Sequence, residues 1–146
     1  SGKKHVLKAA DLNFSYRQSN PQLPNLIYVG GLFQGQVGVE AEIRQKMEDI
    51  QTKREATQPI RAKTGGSTFK NGVEYSAWQL VERAGCRGLK IGDAQISEKH
   101  CNFMINTGNA KASDLEELGE VVRGKVKEKT GIELNWEIKR IGEKNE

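Results

Sequence analysis

The sequence predicts an α+β fold: a single domain with a small mixed sheet packed against helices. Three observations point there. Segments with helical spacing of apolar residues are interleaved with short runs of strand formers, yet without the regular strand-helix alternation of a parallel α/β sheet. A chain of 146 residues is the size of one ordinary domain, able to bury roughly two thirds of its unfolded surface. Hydrophobic residues make up 36% of it, and no apolar run approaches the roughly 20 residues of a membrane span.

The elements follow in order. Leu26-Ile27-Tyr28-Val29 is rich in strand formers and is followed by a turn signal at Gly30-Gly31. From Val39, the apolar residues Val39, Ile43, Met47 and Ile50 fall at helical spacing, which predicts a helix with a core-facing stripe. That helix should stop before Pro59, because a residue preceding proline is pushed out of the helical region. Ser76 is placed to cap a second helix carrying Ala77, Trp78, Val81 and Ala84, with Gly85 as its stop. The stretch Gly88–Gly92 reads as a loop, Cys101–Asn106 as a strand, and Thr107-Gly108-Asn109 as a turn.

The clearest helix comes last. Ser113 with Glu116 has the spacing of a capping box, and Leu115, Leu118, Val122 and Val126 form an apolar stripe. Lys127 and Lys129 complement the negative end of the helix dipole, and Gly131 closes it. Ile132–Ile141 alternates as a final strand, with Trp136 and Ile138 on the apolar face and Glu137 and Lys139 on the other.

The charge balance restricts function. Twenty-three basic against 19 acidic residues give a net charge of +4, without the dense basic block and interleaved aromatics of a nucleic-acid surface. Cys86 and Cys101 stand apart, with neither CxxC spacing nor a histidine cluster, so they read as buried reduced thiols rather than metal ligands or a redox pair. The absence of a signal-peptide pattern and of an apolar span makes the cytosol the expected compartment.

One loop carries the chemistry. Gly65-Gly66-Ser67-Thr68-Phe69-Lys70-Asn71 presents a hydroxyl, an ammonium and a carboxamide behind two glycines that tolerate positive φ, a composition suited to an anionic ligand. With Phe14-Ser15-Tyr16-Arg17-Gln18-Ser19 upstream, Ala77–Gly85 and Ile91–His100 in the middle, and Leu134–Gly142 downstream, it resembles the UDP-N-acetylenolpyruvoylglucosamine reductases, also called UDP-N-acetylmuramate dehydrogenases. The resemblance is to the shorter of that family's two types and runs from about Ala10 to Gly142. Residues 1–9 then read as a remnant of a preceding domain or an expression scar, and residues 10–146 as the C-terminal substrate-binding portion. The family's N-terminal flavin-binding domain is not represented.

What the resemblance implies is an FAD-dependent, NADPH-using oxidoreductase of peptidoglycan precursor synthesis, which serves cell-wall biogenesis, cell shape and division. Its substrate is UDP-N-acetylglucosamine enolpyruvate, and no nucleic acid, membrane or metal is implied as a partner. Ser67 matches the family's proton donor, Arg17 its catalytic arginine and Glu137 its active-site glutamate. A fixed guanidinium suits the substrate carboxylate, and Glu137, either protonated or hydrogen-bonded, would polarise it. Tyr16, Gln58, Lys70, Asn71, His100 and Lys139 fall at substrate-contacting positions. Lys139 replaces a more usual arginine, and Asn135-Trp136 a common Glu-Pro pair. Without its flavin-binding half the chain is expected to be inactive.

Two other readings rest on the residues alone: a non-catalytic module holding an anionic nucleotide or RNA, and an interaction domain presenting the Val39–Ile50 stripe. Taken singly, Tyr16-Arg17 is a packed ring beside a surface cation, and Glu137 an exposed strand residue paired with Lys139.

Overall fold

A computed structural model describes residues 2–15 and 18–142. The chain divides into two compact units, Ser1–Gly38 and Val39–Glu146. In the first, Ala9–Leu12 forms a short 3-10 helix whose start is closed by the Lys8 N–H donating to Asp11 Oδ2 at 2.8 Å. The expected strand at Leu26–Val29 does not form: these residues join no ladder, and Ile27 and Val29 are exposed. Strand propensity describes a side chain that fits a pleated, half-covered surface, and no described residue supplies one here.

The second unit is α+β, as the sequence predicts. Its elements run α1 (Glu40–Thr57), β1 (Lys63–Ser67), α2 (Ala77–Arg83), β2 (Lys90–Ile91), β3 (Ala94–Ile96), β4 (Phe103–Asn106) and α3 (Ala112–Thr130). The four strands lie in the order β1-β4-β3-β2, and every pairing is antiparallel. Strands β2 and β3 are joined by a two-residue turn at Gly92-Asp93, a hairpin inside what the sequence suggests is a loop. Its signal was present, since a Gly-Asp pair between two short runs is a two-residue hairpin pattern.

Helix α3 covers the sheet with the anticipated stripe: Leu118, Val122 and Val126 are buried, with Leu115 packed against the same core. Gly131 ends it at φ 73°, where a side chain would be strained. Its start differs from expectation. The helix begins at Ala112, and Asp114 Oδ2 accepts the Lys111 N–H at 2.9 Å in place of a Ser113/Glu116 box. Helix α2 buries Ala77, Leu80 and Val81 but leaves Trp78 41% exposed. Ser76 occupies its N-cap position without a side-chain hydrogen bond; Asn71 Oδ1 reaches over to accept the Ala77 N–H at 2.9 Å.

Helix α1 ends where Pro59 demands, but its stripe is not core. Val39, Ile43, Met47 and Ile50 are all exposed, and the helix has no buried residue. The last segment also departs from a full strand. Its alternation survives, with Leu134 buried and Ile132, Trp136 and Ile138 packed on the core, yet its ladder is a single bridge between Trp136 and Phe69. Cys86 and Cys101 are buried free thiols.

Candidate active site

The site is built where β1 stops pairing with β4 and takes a new partner. Along β1 the register with β4 slips between Thr64 and Ser67, and Gly66 lies at φ +90°, a conformation that side chains rarely adopt. Thr64 stitches this bulge: its hydroxyl donates to the Met104 carbonyl at 2.7 Å and accepts the Gly66 N–H at 3.2 Å. Ser67 emerges half-buried opposite Phe103.

Beyond Ser67 the backbone is held from both sides. Towards β4, the Thr68 N–H donates to the Asn102 carbonyl at 2.7 Å, and Thr68 Oγ1 accepts the Met104 N–H at 3.1 Å. Asn102 then treats Phe69 as a strand neighbour, its Oδ1 accepting the Phe69 N–H at 3.0 Å and its Nδ2 donating to the Phe69 carbonyl at 2.9 Å. On the other side, the Thr68 carbonyl accepts the Glu137 N–H at 2.9 Å and the Ile138 N–H at 3.4 Å, while the Lys70 N–H donates to the Asn135 carbonyl at 2.8 Å. Ser67 and Glu137, far apart in sequence, thereby sit on adjacent paired segments.

His100 belongs to the same region. Its ring packs edge-on against Phe103, the residue opposite Ser67, with centroids 4.9 Å apart, and lies 6.3 Å from the Trp78 ring. Its Nδ1 accepts the Asn102 N–H at 3.2 Å. Burial depresses its pKa, and the nearby Arg87 charge lowers it further, against a backbone hydrogen bond that raises it. The imidazole is thus biased to its neutral form, a hydrogen-bonding group rather than a cation.

The other expected residues divide. Lys70 and Lys139 are exposed, and Asn71 is exposed with its carbonyl oxygen committed to the start of α2. Gln58 lies elsewhere, in an open cleft of about 230 Å³ lined by Glu55, Arg61 and Lys99, so the structure does not gather it with Ser67 and Glu137 in one cavity. Tyr16 and Arg17 lie outside the described residues. Sequence reasoning missed Thr68 and Asn102, both buried and polar; neither carries a local pattern, because the groups they satisfy are distant in the chain.

Half-buried Ser67, Glu137 and the exposed Lys70 thus lie on adjacent paired segments at one edge of the sheet. Comparison with known proteins shows the family. Residues 58–141, more than half of the chain, match the family model described as the C-terminal domain of UDP-N-acetylenolpyruvoylglucosamine reductase. The chain is 55% identical over 146 residues to the UDP-N-acetylenolpyruvoylglucosamine reductase of Parvibaculum lavamentivorans, covering 100% of this chain and 47% of the relative. It is 56% identical over 142 residues to that of Rhodopseudomonas palustris, covering 97% and 46%. The crystal structure of the Thermus caldophilus reductase superposes with a TM-score of 0.69 at 36% identity, over 91% of this chain and 47% of that one. The chain belongs to the UDP-N-acetylenolpyruvoylglucosamine reductase family, whose C-terminal domain it contains. It spans about half the length of the curated relatives it matches.

Proposed function

We propose that this chain is the substrate-side portion of an enzyme that uses FAD and NADPH to convert UDP-N-acetylglucosamine enolpyruvate to UDP-N-acetylmuramate, a cytosolic step of peptidoglycan precursor synthesis. The observation that carries this reading is the hydrogen bond from the Glu137 N–H to the Thr68 carbonyl, which sets the glutamate segment against the segment bearing Ser67. Family membership supports the reaction class.

The glycine pair does not fit a flavin pyrophosphate. It lies in a strand bulge rather than at a helix N-terminus, and the Gly66 N–H is already bonded to Thr64. FAD is therefore assigned to the part of the full-length relatives outside this chain, where it would supply hydride. What remains falls on this chain's own residues. Negative charge built beside the substrate carboxylate needs a cation, the role of Arg17, and a proton at the α-carbon, the role of the Ser67 hydroxyl. A serine is a weak acid, so it serves only if it is held close before the carbanion forms. The double tether of Thr68 to Asn102 and Glu137 suits that requirement. Glu137 would polarise the carboxylate, and Tyr16, Gln58, Lys70, Asn71, His100 and Lys139 would hold the sugar nucleotide.

The test is Ser67→Ala in a full-length enzyme carrying this sequence. Turnover should fall by roughly 10² to 10⁴, the range for a lost general acid, while substrate affinity changes far less. Turnover at the normal rate would reduce Ser67 to a loop residue.

A further inference from the structure

Trp136 is tied down on three sides. A Cβ added at Gly119 would collide with the six-membered edge of its indole, so the bare α3 backbone is what lets the ring approach the helix. Its Nε1–H donates to Glu120 Oε1 at 3.0 Å. The Arg140 guanidinium lies 4.9 Å from the ring centroid and 3.5 Å from that same carboxylate oxygen. The ring also meets Phe69 at 5.2 Å, and Trp136 and Phe69 form the bridge flanked by the Glu137–Thr68 and Lys70–Asn135 hydrogen bonds.

We propose that Trp136, locked by Gly119, Glu120 and Arg140, is a positioning residue that fixes Glu137 and the Ser67 loop relative to each other. This inference rests on the reaction proposed above. The segment 135–138 needs such a lock, because a single bridge leaves it without the ladder that holds a strand in register. The indole carries the segment's orientation to α3, which buries Leu118, Gly119, Val122 and Val126.

Amide hydrogen exchange on this 146-residue chain tests it directly. Gly119→Ala should speed exchange at the Glu137 and Lys70 amides by at least about tenfold, with the Val122 amide in α3 unchanged. Trp136→Phe, which keeps a ring but loses the indole donor, should do the same to a smaller degree, whereas Glu120→Gln, whose amide oxygen still accepts the indole N–H, should keep near-normal protection. Exchange unchanged at Glu137, or accelerated equally at Val122, would overturn the proposal. In a full-length enzyme carrying the sequence, Trp136→Phe should lower kcat several-fold with KM nearly constant; an unaltered kcat would also overturn it. Failure of the reductase reading is separable, since the unmodified full-length enzyme would then show no turnover whatever the exchange pattern.

Discussion

Asn102 pairs with Phe69 through its side chain as a neighbouring strand would through its backbone: Oδ1 accepts the Phe69 N–H at 3.0 Å and Nδ2 donates to the Phe69 carbonyl at 2.9 Å. Both residues are buried, so no water is at hand to replace either bond. Asn102→Ala would strand two backbone groups in the core. Each unsatisfied group costs about 1–3 kcal/mol, so the urea midpoint should fall by an amount equivalent to about 2–6 kcal/mol. A loss below about 0.5 kcal/mol would show that the loop re-pairs without the carboxamide.

His100 should titrate below the ordinary histidine value of 6.5, because burial disfavours its charged form and Arg87 repels it. The sign follows from linkage. A depressed folded-state pKa means that the unfolded chain binds the proton more readily, so this contribution is intact above 6.5 and is lost as pH falls through the folded value. The His100 ring resonances in an NMR titration report it. A midpoint at or above 6.5 would contradict the burial account.

Glu82 links the buried thiol to a surface cation. Arg87 donates to its carboxylate through Nε at 2.9 Å and through Nη2, and Cys101 Sγ lies 3.0 Å from Glu82 Oε2. Burial, with the hydrogen bond to Glu82, pushes the thiol pKa to about 12, whereas the hydrogen bonds from Arg87 and Cys101 hold the Glu82 carboxyl at about 2. A protonated, enclosed thiol is a poor nucleophile. Labelling of Cys101 by a thiol reagent at pH 8 should therefore follow global unfolding in urea, and fast labelling of the folded chain would refute this.

The chain alone should bind UDP-sugars weakly, if the proposed site is divided between this portion and the rest of a full-length enzyme. In an NMR titration with UDP-N-acetylglucosamine, shifts should concentrate at Lys70, Asn71 and His100. Lys70→Ala should weaken that response by about tenfold or more, the worth of one hydrogen bond to a charged group. A response spread evenly over the basic surface would indicate charge attraction only.

The residues themselves disclosed what depends on near neighbours. Helix α3 was legible from Leu115, Leu118, Val122 and Val126, because a period of 3.6 places them on one face whatever surrounds them. The end of α1 was legible from Pro59, which acts through local sterics. Ser67 and Lys70 were singled out in one motif and Glu137 in another, with nothing in the sequence to say how the two segments meet. Only the tertiary structure decided that the Ser67 segment leaves β4 at a bulge and takes the Glu137 segment as its next partner. It likewise decided that Asn71 rather than Ser76 closes the start of α2, and that the Val39–Ile50 stripe stays exposed. The pairings of Thr68 with Glu137 and of Phe69 with Asn102 are contacts between groups distant along the chain. Their free energy depends on loop closure and on which buried donors and acceptors remain to be satisfied, and no local periodicity encodes either.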